Sequence, residues 1–286
     1  MRAVGLALLV LVVGAVGVAA LVVRSGVYDV AADKPHWQPV YTVLEATMRY
    51  SVRRRASAIE EPPLDEPGLL LRGAACFSAH CVSCHGAPGV APAPPALAMQ
   101  PLPGPLVDAA SAWRARELVW IMRHGIRMSG MPAWGGRLPD EDIWAVAALL
   151  QQLPQLSPES WAALDQLVQP LPCPAEPPLG QPGASWRDGM APTAAAATRG
   201  RAAMYLHGCP GCHVIPGVVG SPRQVGPPLA GYGRRSQIKG RWDNNRDNLA
   251  AWVRDPQALD PGTAMPSIGM HEGDAQAIAV YLLTLR

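Results

Sequence analysis

Two short segments of this sequence can do chemistry as units: Cys81-Val82-Ser83-Cys84-His85 and Cys209-Pro210-Gly211-Cys212-His213. On one helical turn, two thiols three residues apart lie on the same side, where they can add to the two vinyl groups of one porphyrin. The His that follows reaches the iron from that face, and C-x-x-C-H is the attachment signature of c-type haem. Three other readings compete. A thioredoxin-like redox pair wants βαβ patterning around its C-x-x-C, which is missing here. A shared zinc site would use four Cys and leave both His idle. A disulfide within either motif would close a strained small ring.

An iron held by His on one side needs a sixth ligand, expected roughly half a domain further on in an irregular segment. Gly130-Met131-Pro132 follows His85, and Ala264-Met265-Pro266 follows His213 at a similar distance. Pro holds the preceding Met in extended chain, so Met131 and Met265 are the expected axial ligands. Most Met are core filler, and Met128 and Met270 are local rivals, the first as a back-up ligand and the second as a packing residue. His80, His124 and His207 are the remaining alternatives, with His80 and His207 expected beside a haem and not across it.

These residues must be positioned by helices. Before the first motif Leu69, Leu70, Ala74 and Phe77 recur at helical period, and a helix is expected around Ala115 to His124. Another opens near Asp140, where acidic residues suit a first turn. A short helix around Ser157 to Val168 precedes a run of seven Pro between Pro170 and Pro192, which reads as a semi-rigid linker. The segment from about Thr198 repeats the plan: a helix before the motif, a Gly- and Pro-rich loop, a helix around Asp247 to Arg254, and a terminal helix through Ile278 and Leu282. The fold class is mainly α.

The composition of the 286 residues fits this plan: 16 % are charged and 49 % hydrophobic, which excludes a disordered, charged chain. The net charge of +2 gives no reason to expect a nucleic-acid partner. A single Phe (Phe77) against nine Trp leaves two cores short of rings, a shortage that flat porphyrins would make good. Much of the Gly and Pro content belongs to loops wrapping such a group and to the linker.

Val4 to Val23 is an uncharged, apolar run between Arg2 and Arg24, long enough to cross a hydrocarbon core of ~30 Å. A transmembrane anchor is expected; a cleaved signal peptide ending at Val18-Ala19-Ala20 is the alternative. Val40, Val43, Leu44, Met48 and Val52 then mark an amphipathic helix ending in Arg53-Arg54-Arg55, a solvated helix end or a contact for lipid headgroups or a membrane partner. Cys76 and Cys173 are left over, to be buried separately or joined as a disulfide. The expected organisation is anchor 1–24, amphipathic helix and connector 25–66, first domain 67–153, Pro-rich linker 154–196 and second domain 197–286.

Both halves resemble class I cytochrome c domains, and the whole resembles membrane-anchored dihaem c-type cytochromes of bacterial electron-transport chains. In the second half the likeness extends to Val225-Gly226-Pro227-Pro228-Leu229-Ala230-Gly231, Asp247-Asn248-Leu249, Trp252, Asp255-Pro256 and Pro261-Gly262-Thr263-Ala264-Met265-Pro266. The resemblance implies two covalent haem c groups, bound through Cys81, Cys84, Cys209 and Cys212, with iron held by His85 and Met131 and by His213 and Met265. It further implies that the Pro227 carbonyl accepts a hydrogen bond from His213 Nδ1, with Arg234 and Trp242 near the propionates and Trp252 beside the Met ligand. The first half lacks Gly-Pro-x-Leu after His85, and Pro103 or Pro105 would serve that imidazole.

His/Met ligation leaves no open iron position, so the resemblance implies a single-electron carrier and not an enzyme with a small-molecule substrate. Its expected donor is a quinol-oxidising complex or a dehydrogenase, and its acceptor a terminal oxidase. The alternatives are a relay subunit of a periplasmic alcohol or sugar dehydrogenase and, against the two Met-Pro sites, a dihaem peroxidase-like enzyme. Haem attachment on the exported side would put the N-terminus in the cytoplasm, the anchor in the inner membrane and both domains in the periplasm. Arg223, Arg234, Arg235, Lys239, Arg241 and Arg246 gather after the second motif, as ordinary solvated loop charge or as a docking face for an acidic partner.

Overall fold

The apolar run at the N-terminus forms one continuous helix, α1 (Arg2–Ser25), whose side chains are exposed along its whole length. It has a mean hydropathy of 3.0 over its most apolar window and is long enough to cross a membrane. The structure is a computed structural model and describes residues 2–66, 68–173, 194–220 and 225–286. The chain divides into two units, Met1–Cys173 and Pro174–Arg286. Arg223 and most of the Pro-rich stretch lie outside the described residues.

In the first unit α2 (Gln38–Ala56) is followed by α3 (Leu69–His80), the single turn α4 (Val82–His85) and three more segments, α5 (Pro94–Leu97), α6 (Ala109–Ala112) and α7 (Ala115–His124). Then come α8 (Asp140–Gln152) and α9 (Pro158–Val168). Local chemistry sets the ends: Asp140, Glu141 and Asp142 open α8 where the helix dipole favours negative charge, and Ser157 Oγ accepts from the Ser160 N–H at 3.1 Å to cap α9. Phe77, Val119, Ile143, Leu149 and Trp161 are almost fully buried between α3, α7, α8 and α9.

The crossing of α3 and α8 depends on one missing side chain. A Cβ on Gly73 would stand 2.1 Å from the Ala145 carbonyl oxygen, so only Gly lets the two backbones approach this closely. In the second unit come α10 (Ala194–Leu206), α11 (Arg246–Arg254), α12 (Pro256–Leu259) and α13 (Glu272–Thr284), with α10 and α11 both packed on α13. There a Cβ on Gly200 would stand 2.0 Å from the Ala277 carbonyl oxygen. The correspondence continues around each crossing. Arg72 precedes Gly73 and pairs with buried Asp142; Arg199 precedes Gly200 and lies 3.7 Å from Asp274. The only described strands are the two-residue pair β1 (Gln237–Ile238) and β2 (Trp242–Asp243).

One boundary differs from the sequence expectation. Residues 154–173 belong to the packing of the first unit and are not linker: Trp161 stands edge-on to Phe77 at 5.5 Å and is buried against α3. Cys76 and Cys173 form a disulfide, their Cα atoms 5.0 Å apart, that ties the chain beyond α9 to the same helix. The amphipathic helix expected in 25–66 is α2, which buries Val52 and Ala56 and packs on α7.

Candidate functional site

The first motif begins where α3 ends. The Cys84 and His85 N–H groups both donate to the Cys81 carbonyl, at 3.1 and 2.9 Å, which winds Cys81 to His85 into one turn. The second motif is built the same way, with the Cys212 and His213 N–H groups donating to the Cys209 carbonyl at 3.2 and 3.0 Å. All four motif thiols are free. Burial pushes the Cys81 thiol up to about 12, with Cys84 adding to the effect, and pushes Cys209 up to about 11. Among the described residues, the motif thiols join no cluster of three or more ligating side chains. The one such group is Cys76, Asp142 and Cys173, whose two sulfurs are bonded to each other.

Each motif imidazole is held by one backbone carbonyl. His213 Nδ1 lies 2.8 Å from the Pro227 oxygen. His85 Nδ1 lies 2.7 Å from the Gly104 oxygen, so the carbonyl serving this ring comes from the residue between Pro103 and Pro105 and from neither Pro. A carbonyl can only accept, so Nδ1 carries the proton in both rings and the lone pair is left on Nε2. Gly226 closes the wall on the second ring: a Cβ there would stand 2.4 Å from His213 Cε1. The family resemblance points to the Pro227 carbonyl and includes Gly226 without giving it a role; Gly104 lies in a loop where the resemblance offers only Pro103 or Pro105.

Met131 and Met265 are half-buried, Met131 packed on the core that takes in Cys81 and Met265 on the core that takes in Cys209 and Trp252. The loop bearing Met131 returns on α7, with the Ile126 N–H donating to the Met131 carbonyl at 3.2 Å and Ser129 Oγ accepting from the Met131 N–H. Thr263 Oγ1 plays the latter part for Met265 at 3.3 Å. Of the rivals, Met128 is 90 % exposed and Met270 is buried in the core. His80 Nε2 is 3.1 Å from the Cys173 carbonyl and His207 Nε2 is 2.9 Å from Asp274, so both imidazoles are engaged elsewhere. Burial works against the Asp274 carboxylate, but His207, Arg199 and His271 outweigh it and hold the group below its usual range. His124 lies against Trp120, its pKa lowered by burial and then by Arg123.

Trp242 and Trp252 stand 5.8 Å apart at one wall of the second unit. Arg234 is exposed, its guanidinium lying over Gly231. Arg235, which the resemblance did not single out, donates to the Pro228 carbonyl at 3.2 Å and covers the Tyr232 ring at 4.6 Å. Lys239 pairs with Asp260 and Arg246 with Asp247, which leaves Arg234, Arg235 and Arg241 as the prominent cations of this face. Free thiols on one turn, an imidazole with its Nε2 lone pair unspent and a half-buried thioether on the same core form a donor set suited to a covalently attached porphyrin.

Residues 68–150 match the family model described as "Cytochrome C oxidase, cbb3-type, subunit III". The chain carries a c-type cytochrome domain. Such a domain implies covalent haem c with iron. Three curated relatives bear the name "Cytochrome c oxidase subunit 2". That of Alkalihalophilus pseudofirmus is 37 % identical over 108 residues, covering 36 % of this chain and 31 % of its own. That of Bacillus sp. strain PS3 is 34 % identical over 88 residues, covering 29 % and 25 %. That of Bacillus subtilis is 31 % identical over 58 residues, covering 20 % and 16 %. The chain spans less than a third of the length of these relatives. No solved structure matches it.

Proposed function

We propose that this chain is a membrane-anchored dihaem c-type cytochrome that passes single electrons to a terminal oxidase. The observation that carries the reading is the repetition of one donor arrangement: in each unit a C-x-x-C-H turn presents free thiols and an imidazole whose Nδ1 donates to a backbone carbonyl. The repeated Gly crossings, Gly73 on Ala145 and Gly200 on Ala277, support two copies of one domain. The oxidase direction rests on the names of the relatives.

In this reading Cys81, Cys84, Cys209 and Cys212 would hold the two groups through thioether bonds. His85 and His213 would offer Nε2 to the irons, their rings oriented and made more basic by the Gly104 and Pro227 carbonyls. Met131 and Met265 would supply the second protein donors, and a soft thioether in a largely apolar wall would favour the reduced state. Haem c, when bound, supplies reversible one-electron chemistry. The protein's part would be to hold the group, exclude water and limit reorganisation. Trp252, in the same core as Met265, would wall the thioether, and Arg234 and Trp242 would serve the group's acidic edge. α1 anchors the chain with its N-terminus in the cytoplasm, and the Cys76–Cys173 disulfide favours an oxidising, periplasmic setting for the haem units.

Haem quantification on the intact purified chain, followed by a potentiometric titration, tests this. Two covalent haems are expected, and Cys81→Ala/Cys84→Ala should remove one of them. A single haem in the unaltered chain, or a high-spin ferric site in the resting protein, would overturn the dihaem carrier.

A further inference from the structure

The helix that follows the anchor uses only one of its sides. Glu45, Met48, Arg49, Val52 and Ala56 recur at helical spacing and face the first unit: Val52 and Ala56 are buried, and Arg49 covers the Trp113 ring at 5.1 Å. On the opposite side Val40, Val43, Leu44 and Thr47 form an i, i+3, i+4, i+7 stripe, with Val43 64 % and Leu44 53 % exposed. On this side the stripe continues into exposed Tyr50 and Arg54, flanked by exposed Arg53 and by exposed Arg55, whose Nη1 also donates to Ser51 Oγ at 2.8 Å. Twelve residues, 26–37, separate α2 from α1. They do not run out straight, because Tyr28 Oη and His36 Nδ1 meet at 2.6 Å and the Tyr28 ring stands edge-on to Trp37 at 5.5 Å. That closure brings the start of α2 back toward the end of α1 and sets Tyr28 and Trp37 together at the junction, one turn before exposed Tyr41. Aromatic rings of this kind settle at the level of lipid headgroups.

We propose that α2 is a headgroup-level helix whose Val40, Val43, Leu44 and Thr47 face rests in an anionic bilayer, with Arg53, Arg54 and Arg55 on the lipid phosphates. The proposal rests on the reading of α1 as a membrane span. Charge complementarity selects the lipid: three adjacent cations at the end of an apolar stripe match an acidic membrane surface, and long Arg side chains can reach headgroups while their stems stay on the apolar boundary. Because the other side of α2 is packed on α7, and Glu61 beyond it pairs with Arg116, the contact holds the whole first unit at a set height and orientation on the membrane. A partner taking electrons from that unit would then be met by lateral diffusion in two dimensions.

A photoreactive benzophenone amino acid placed at Leu44 of the full-length holo-protein tests this, in vesicles containing about 30 % phosphatidylglycerol. A lipid adduct at position 44 is expected, with a yield at least about threefold above that in purely zwitterionic vesicles. Arg53→Gln/Arg54→Gln/Arg55→Gln should remove the difference. The same label at Leu11 reads the anchor: lipid adducts at 11 but not at 44 overturn the headgroup helix and spare the span, and no lipid adduct at 11 overturns the span itself. With membranes from the native host, a protein adduct at 44 in place of lipid would assign the stripe to a partner subunit and overturn the proposal.

Discussion

At the scale of single residues the second site turns on an absent methyl group. Gly226 abuts the His213 ring, and a Cβ there would press on Cε1 at 2.4 Å and on Nδ1 at 2.7 Å. Gly226→Ala is therefore expected to tilt the imidazole off the Pro227 carbonyl and to cost unit 2 about 1–3 kcal/mol of stability. If both units carry haem as proposed, potentiometric titration of the holo-protein should show one midpoint displaced and the other unchanged; two unchanged midpoints would mean that the wall is slack. The motif thiols allow a second check, in the haem-free chain. Burial raises both the Cys81 and the Cys209 thiol, and only the thiolate reacts, so alkylation followed by mass spectrometry should find both modified far more slowly at pH 8 than an exposed free cysteine. Both rates should rise about tenfold for each pH unit up to pH 10.

Which residues matter was legible at this scale where chemistry is local. C-x-x-C-H is a statement about one helical turn, and its thiols and imidazole need no distant partner to be recognised. Pro227 was legible only through the resemblance that its Gly-Pro-Pro-Leu loop carries. Gly104 was not, because a carbonyl is common to every residue and only the path of the loop decides which one reaches His85 Nδ1.

At the scale of elements the two Gly crossings bear the most weight. Gly73→Ala and Gly200→Ala each force a Cβ to about 2 Å from a carbonyl oxygen, so α3 must part from α8 and α10 from α13. Each change is expected to lower the stability of its own unit by about 1–3 kcal/mol or more, and calorimetry of the single variants checks this. Losses of similar size would accord with one domain plan used twice. The helices themselves were readable from periodicity and first-turn acids, as for α7, α8 and α11. The crossings were not, since a Gly in a helix pattern looks like a weak point until the facing carbonyl is seen.

At the scale of the whole molecule the described chain is two units, and the first reaches further than its haem motif suggests. The disulfide closes a span of 97 residues from Cys76 to Cys173 and packs α9 over α3. Cys173→Ser is expected to destabilise the first unit by about 2–5 kcal/mol and to leave the second unit unaffected, as two separated unfolding transitions would report. Equal stability with and without a reducing agent would argue against the bond.

What the sequence determined by itself was local: two C-x-x-C-H turns, a downstream Met-Pro for each, mainly helical surroundings and an apolar N-terminal run. These rest on neighbours along the chain, within a turn or a helical period. Only the tertiary structure decided that Cys76 meets Cys173, that residues 154–173 pack with the first unit, that the Gly104 carbonyl meets His85, and that His80 and His207 bond to the Cys173 carbonyl and to Asp274. Each of these joins residues far apart in sequence through contact, and contact depends on how closely backbones approach, which composition and spacing do not encode.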